Sequence, residues 1–126
     1  MQERPVYLDL TKIRLPMSAF SSISHRLSGM YVFFITLPLM LALIYFSTES
    51  EDSFNELSLF LRDHKFILGL IVLSFCILWY HILSGVRHLI MDAHIGESLL
   101  ASKYSAILTI SFWTISTSLV FWRIFS

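Results

Sequence analysis

His81, Ser84, Gly85 and His88 occupy positions i, i+3, i+4 and i+7 of the run Trp79-Tyr80-His81-Ile82-Leu83-Ser84-Gly85-Val86-Arg87-His88-Leu89-Ile90-Met91-Asp92. At about 100° per residue they share one stripe of a helix, and Asp92 returns to it if the helix continues that far. His81 falls within an apolar stretch over 66–86. There an Arg, Lys or Asp costs about 2.5 to 3.5 kcal/mol on insertion scales, and a neutral imidazole somewhat less. A compensating interaction is expected. A notch of small residues between two imidazoles lets a flat macrocycle approach the helix backbone, with iron on the deeper nitrogen and carboxylates toward the shallower, charged end.

The elements that must hold such a group follow from composition. The chain has 126 residues, of which 56% are hydrophobic and 14% charged, with a mean hydropathy of +0.70. Soluble domains average about 45–50% apolar and about 25% charged residues. Three runs, over 27–48, 66–86 and 104–122, contain no Asp, Glu, Lys or Arg. Each approaches or exceeds the roughly 20 residues that a helix needs to cross about 30 Å of hydrocarbon. The expected fold is an all-α membrane protein with three transmembrane helices at about those positions, forming one membrane-anchor domain over 1–126 behind an N-terminal segment, 1–26. The formal net charge is zero, so there is no polybasic signature for nucleic acid.

Residues 1–26 contain Glu3, Arg4, Asp9, Lys12 and Arg14 with Pro5 and Pro16, and lack an apolar core followed by a small-residue cleavage site. The first span is therefore expected to be retained. Cys76, the only cysteine, lies inside the second span, where a packed small side chain is the expected role. Arg4, Lys12, Arg14, Arg26, Arg87 and Lys103 fall on one side of the spans, and Arg62, Lys65 and Arg123 on the other. This excess predicts a cytoplasmic N-terminus and an outward C-terminus, with the acidic first loop outside. His81 then lies about 9 Å below the cytoplasmic boundary. The first span begins on the same side, where Ser22, His25, Arg26 and Gly29 share a face after the helix-starting Pro16. A hydroxyl and a guanidinium at that depth can hydrogen-bond a carbonyl that needs a donor.

Four blocks resemble the cytochrome b subunit of succinate dehydrogenase: Arg4-Pro5-Val6-Tyr7-Leu8-Asp9-Leu10, Arg14-Leu15-Pro16, Ser22-Ile23-Ser24-His25-Arg26-Leu27-Ser28-Gly29, and His81 through Asp92. The resemblance implies a membrane anchor in a heteromeric helix bundle in the bacterial inner membrane. Its implied partners are a second small hydrophobic anchor, an iron–sulfur subunit and a flavoprotein that oxidises succinate. It also implies one haem b shared with the second anchor and a site for ubiquinone as substrate. By the same resemblance His81 is an axial haem ligand, His25, Arg26 and His88 lie near the haem carboxylates, and Ser22 and Arg26 contact the quinone. Ser84, Gly85, Arg87 and Asp92 are supporting residues. The stretch Ala93-His94-Ile95-Gly96-Glu97 departs from the family's more aromatic and acidic pattern there.

Each residue also has a plainer reading. His81 could pack against a neighbouring helix, Arg26 and His25 could be topology anchors that reach the headgroups, and Ser22 could bond its own backbone. The serines and threonines of the third span read as helix-packing residues, and the aromatic residues near span ends as interfacial belts. At the level of the whole protein the alternatives are a fumarate reductase anchor, a homodimeric haem b electron-transfer protein and a haem-free structural anchor.

Overall fold

The computed structural model describes residues 15–126. Arg4, Lys12, Arg14 and the 4–10 block lie outside them. The chain begins with α1 (Met17–Tyr31), which passes through a π-helical segment (Val32–Thr36) into α2 (Leu37–Thr48) without leaving helical geometry. A short helix α3 (Glu51–Asp63) follows, then α4 (Lys65–Asp92) and α5 (Leu99–Phe125). Among the described residues, three helical stretches are long and apolar enough to cross a membrane: Met17–Thr48, Lys65–Asp92 and Leu99–Phe125.

These are the three expected helices, but each outruns its charge-free core. The second reaches Asp92 and the third begins at Leu99, so Arg87 and Lys103 are helical rather than loop residues. A charge ends an apolar run without ending a helix when its head can find partners. Arg87 is 5% exposed, and its guanidinium reaches across to α5. Its Nε donates to Ser105 Oγ at 3.0 Å, and its Nη2 to Ser102 O at 2.9 Å and Ser102 Oγ at 3.1 Å. The Arg87 charge, counted from sequence with the flanking positive residues, thus clamps two helices. The connection between them is short, with His94 and Gly96 at positive φ and the Ser98 side chain capping α5 through Ala101 N.

The π segment has a local cause. Pro38, the second residue of α2, has no N–H and would crowd the preceding turn. The chain widens just before it, and Leu37 N bonds Val32 O five residues back. The first loop, read from sequence only as acidic, is mostly helix. Ser50 accepts from Ser53 N at 3.0 Å as the N-cap, Glu51 and Asp52 sit at the positive end, and Arg62 at the negative end. Ser53 Oγ donates to Phe46 O at 2.7 Å and folds α3 back on α2.

α1 packs on α4 and α5, and α4 packs on α5. Their contacts use small and polar residues. Ser21, Ser28, Thr36, Ser74, Cys76, Ser84, Ser102 and Ala106 are all buried, while Phe34, Leu41, Leu108 and Leu119 face outward. Such an inversion is expected in lipid, where helices associate through close backbone approach and interhelical hydrogen bonds. Tyr31 Oη meets Ser74 Oγ at 3.1 Å, Trp113 Nε1 donates to Cys76 O at 2.9 Å, and Trp79 Nε1 donates to Ser116 Oγ at 3.0 Å. The described N-terminal end of α1, the C-terminal end of α4 and the N-terminal end of α5 meet at one end of the bundle.

Replacing Arg87 by Ala should lower the thermal midpoint of the detergent-purified protein, with a loss of about 1–3 kcal/mol for the severed buried bonds. Arg87→Lys should recover only part of it, because one ammonium cannot span Ser102 and Ser105 as the planar fork does. An unchanged midpoint in Arg87→Ala would refute the clamp.

Candidate functional site

Helices α1 and α4 carry the same five-residue pattern at the point where they cross: His25-Arg26-Leu27-Ser28-Gly29 and His81-Ile82-Leu83-Ser84-Gly85. In each, the glycine lies one turn after the histidine on the same face. The structure uses the pair reciprocally. A Cβ placed on Gly29 would stand 3.0 Å from His81 Cε1, and one on Gly85 would stand 3.2 Å from His25 Cε1. Each histidine therefore fills the notch left by the other helix's glycine. The two imidazoles stack, with ring centroids 4.3 Å apart and planes 3° from parallel. His88, two turns beyond His81, meets the His25 ring edge-on at 5.0 Å.

The sequence reading set His25 at the shallow end of the first span; the stacking brings it level with His81. Charge-free runs mark where a helix may be deep, but not how two helices slide against each other. The two histidines on the stripe, His81 and His88, are joined by His25 into a file of three rings.

The serines break the symmetry of the repeat. Ser28 Oγ donates to His25 O at 2.7 Å and lies 3.1 Å from His81 Nδ1, which is 3.3 Å from the same carbonyl. A hydroxyl has one proton, and the shorter contact takes it. With that proton given to the carbonyl, both groups facing His81 Nδ1 can accept, an arrangement that suits the neutral tautomer with the proton on Nδ1 and a lone pair on Nε2. His81 Nε2 has no hydrogen bond among the described residues. Ser84 Oγ, at the equivalent place on α4, is buried without a hydrogen-bond partner among the described residues, as are Ser21 Oγ and His25 Nδ1. Tyr80 Oη closes the same end with a long 3.4 Å contact to Ser21 O.

Ser22 is half-buried and Arg26 exposed. Neither side chain has a hydrogen bond among the described residues. A cavity of about 420 Å³ opens between α1, α4 and α5, lined by Phe20, Ser24, Ser28, Tyr80 and Trp113 among others and by none of the three histidines. It includes neither Ser22 nor Arg26. Asp92 is the exposed last residue of α4, roughly 16 Å along the axis from His81. Ser28 and Gly29, which touch His81 directly, were not among the site residues expected from sequence. The repeated His-x-Leu-Ser-Gly pattern was the signal that could have found them.

The sequence profile of the succinate dehydrogenase/fumarate reductase transmembrane subunit family matches residues 1–121. The chain belongs to that family. It is 38% identical over 104 residues to a succinate dehydrogenase cytochrome b556 subunit of Coxiella burnetii, covering 82% of each chain. A cytochrome b560 subunit of Porphyra purpurea is 39% identical over 93 residues, 71% of this chain and 72% of its own. A cytochrome b556 subunit of Paracoccus denitrificans is 34% identical over 95 residues, 74% of this chain and 70% of its own. The resemblance read from the sequence blocks is thereby borne out. As a member of the transmembrane subunit family, the chain is a multi-pass membrane protein whose complex is an oxidoreductase.

The reciprocal notch makes a graded expectation for glycine substitutions. Gly29→Ala should force His81 or α1 to shift and lower the thermal midpoint, and Gly85→Ala should do so less, given its wider 3.2 Å approach. Gly69 has nothing within 4 Å of its Cβ position, so Gly69→Ala should leave the midpoint unchanged or raise it slightly. Equal effects at Gly29 and Gly69 would contradict the notch.

Proposed function

We propose that this chain is a haem-binding anchor of succinate dehydrogenase that helps form the ubiquinone-reduction site, and so links succinate oxidation in the tricarboxylic acid cycle to the respiratory chain. The observation that carries the reading is the state of His81. Its Nδ1 proton is engaged by the His25 carbonyl and Ser28 hydroxyl, which leaves Nε2 as the donor atom for a metal. The glycine notches are filled by the two histidines themselves, and the unpartnered His25 Nδ1 is the polar atom left to meet an incoming group. Haem b, when bound, supplies a one-electron redox centre.

Under this reading His81 binds iron, and His25, Arg26 and His88 meet the haem carboxylates. Ser84, Gly85, Arg87 and Asp92 shape and brace the α4 side. The His25 and His81 rings lie face to face and do not turn their nitrogens toward one common point, so while stacked they would not hold the group as a pair. His64 and His94 are exposed in terminal or loop positions. A further ligand would come from the second anchor subunit, so that one haem would be shared between the two chains and its binding coupled to their assembly.

Ser22 and Arg26 are assigned to the quinone. Quinone carbonyls only accept, so the Ser22 hydroxyl and Arg26 guanidinium can both donate, and the cation offsets negative charge that builds on oxygen during reduction. The exposure of Arg26 and the partners still to be added to Ser22 are consistent with a site completed by other chains. The iron–sulfur and flavoprotein subunits dock on the end of the bundle where α1 begins, and that end faces the cytoplasm at a bacterial inner membrane. The lysine and arginine distribution supports this orientation.

In the assembled complex His81→Leu should remove or strongly perturb a low-spin b-type spectrum; an unchanged spectrum would defeat the ligand assignment. Arg26→Leu should slow succinate-dependent ubiquinone reduction while leaving succinate oxidation by a water-soluble artificial acceptor near normal. Equal loss of both activities in a fully assembled complex, or unchanged quinone kinetics, would return Arg26 to a topology anchor.

A further inference from the structure

We infer that Ser28 is a positioning residue for the haem ligand, setting both the tautomer of His81 and the electron density on its iron-facing nitrogen. The inference rests on His81 being that ligand and goes beyond it by naming the neighbouring group that controls it. Ser28 Oγ is buried, gives its proton to His25 O at 2.7 Å, and turns a lone pair toward His81 Nδ1 at 3.1 Å. The His25 carbonyl stands 3.3 Å from the same nitrogen. One imidazole N–H thus faces two acceptors, and one of these is polarised by the other.

This three-centre arrangement has a directional consequence. Accepting from Nδ1–H leaves more negative charge on the ring, strengthens Nε2 as a donor and favours the oxidised metal. Ser28 also removes a competing tautomer. Without its lone pair, only the longer carbonyl contact holds the Nδ1 proton, and the ring can turn. Ser84 gives an internal contrast, because it holds the same place in the α4 repeat yet its Oγ contacts no ring nitrogen. The effect should be confined to the α1 serine.

The test is a redox titration and low-temperature electron paramagnetic resonance of the assembled complex carrying Ser28→Ala, Ser28→Thr or, as a control, Ser118→Ala. Ser28→Ala should raise the haem midpoint potential and shift or broaden the low-spin signal, with the haem retained. Ser28→Thr keeps the hydroxyl and should restore both; Ser118→Ala, at an exposed serine of α5, should match the wild type. If Ser28→Ala does not assemble, Ser28→Cys, close in volume but a poor acceptor, should show the same upward displacement. A wild-type potential and signal in the haem-loaded alanine or cysteine variant would overturn the inference, as would equal shifts in Ser28→Ala and Ser118→Ala. Failure of the underlying ligand reading would be recognised separately, by a haem spectrum that survives His81→Leu.

Discussion

Two histidines set into two glycine notches fix the distance between α1 and α4, and the rest of the bundle is arranged around that distance. Gly29 and Gly85 let the backbones close until each imidazole lies against the opposite helix. The parallel rings then act as a spacer between the two backbones. In lipid there is little hydrophobic gain from bringing helices together, so van der Waals contact of this kind and a few hydrogen bonds must hold them. The same contact that joins the helices also orients the nitrogen available for chemistry. Packing and site cannot be varied separately here.

Away from the crossing, the chain is held by isolated polar bonds. Arg87 to Ser102 and Ser105, Trp113 to the Cys76 carbonyl, Trp79 to Ser116 and Tyr31 to Ser74 distribute along the length of α4. Interhelical bonds in membranes average about 0.6 kcal/mol, so none of these dominates alone. Their spacing keeps α4 in register with both neighbours. Most large apolar side chains face outward, available to lipid and to the remaining subunits of the complex.

Sequence made the three spans legible because absence of charge over some twenty residues reflects the thickness of hydrocarbon. The stripe through His81 was legible for a similarly simple reason, the 100° step of a helix. The ends of the helices were not, since Arg87 continues a helix that a charge count would stop, and its partners lie on another element. Ser28 was hidden because serines are common in membrane helices, and its role appears only when α1 meets His81. Ser22 and Arg26 were conspicuous in sequence but lack hydrogen-bond partners among the described residues, so the fold of this chain alone gives them no role.

The π segment acts as a phase corrector for the first span. Ser21 and Ser28 are seven residues apart and stay on one face of an ordinary helix, but Thr36, fifteen residues from Ser21, would drift by about 60°. The wide turn over Val32–Thr36 absorbs that drift and returns Thr36 to the buried side, where it is 0% exposed. In evolutionary terms the segment has the signature of an accommodated one-residue insertion. A relative one residue shorter between Tyr31 and Leu37 could present the same buried face with an unbroken α-helix. An alignment gap at this point would then mark conserved geometry rather than divergence.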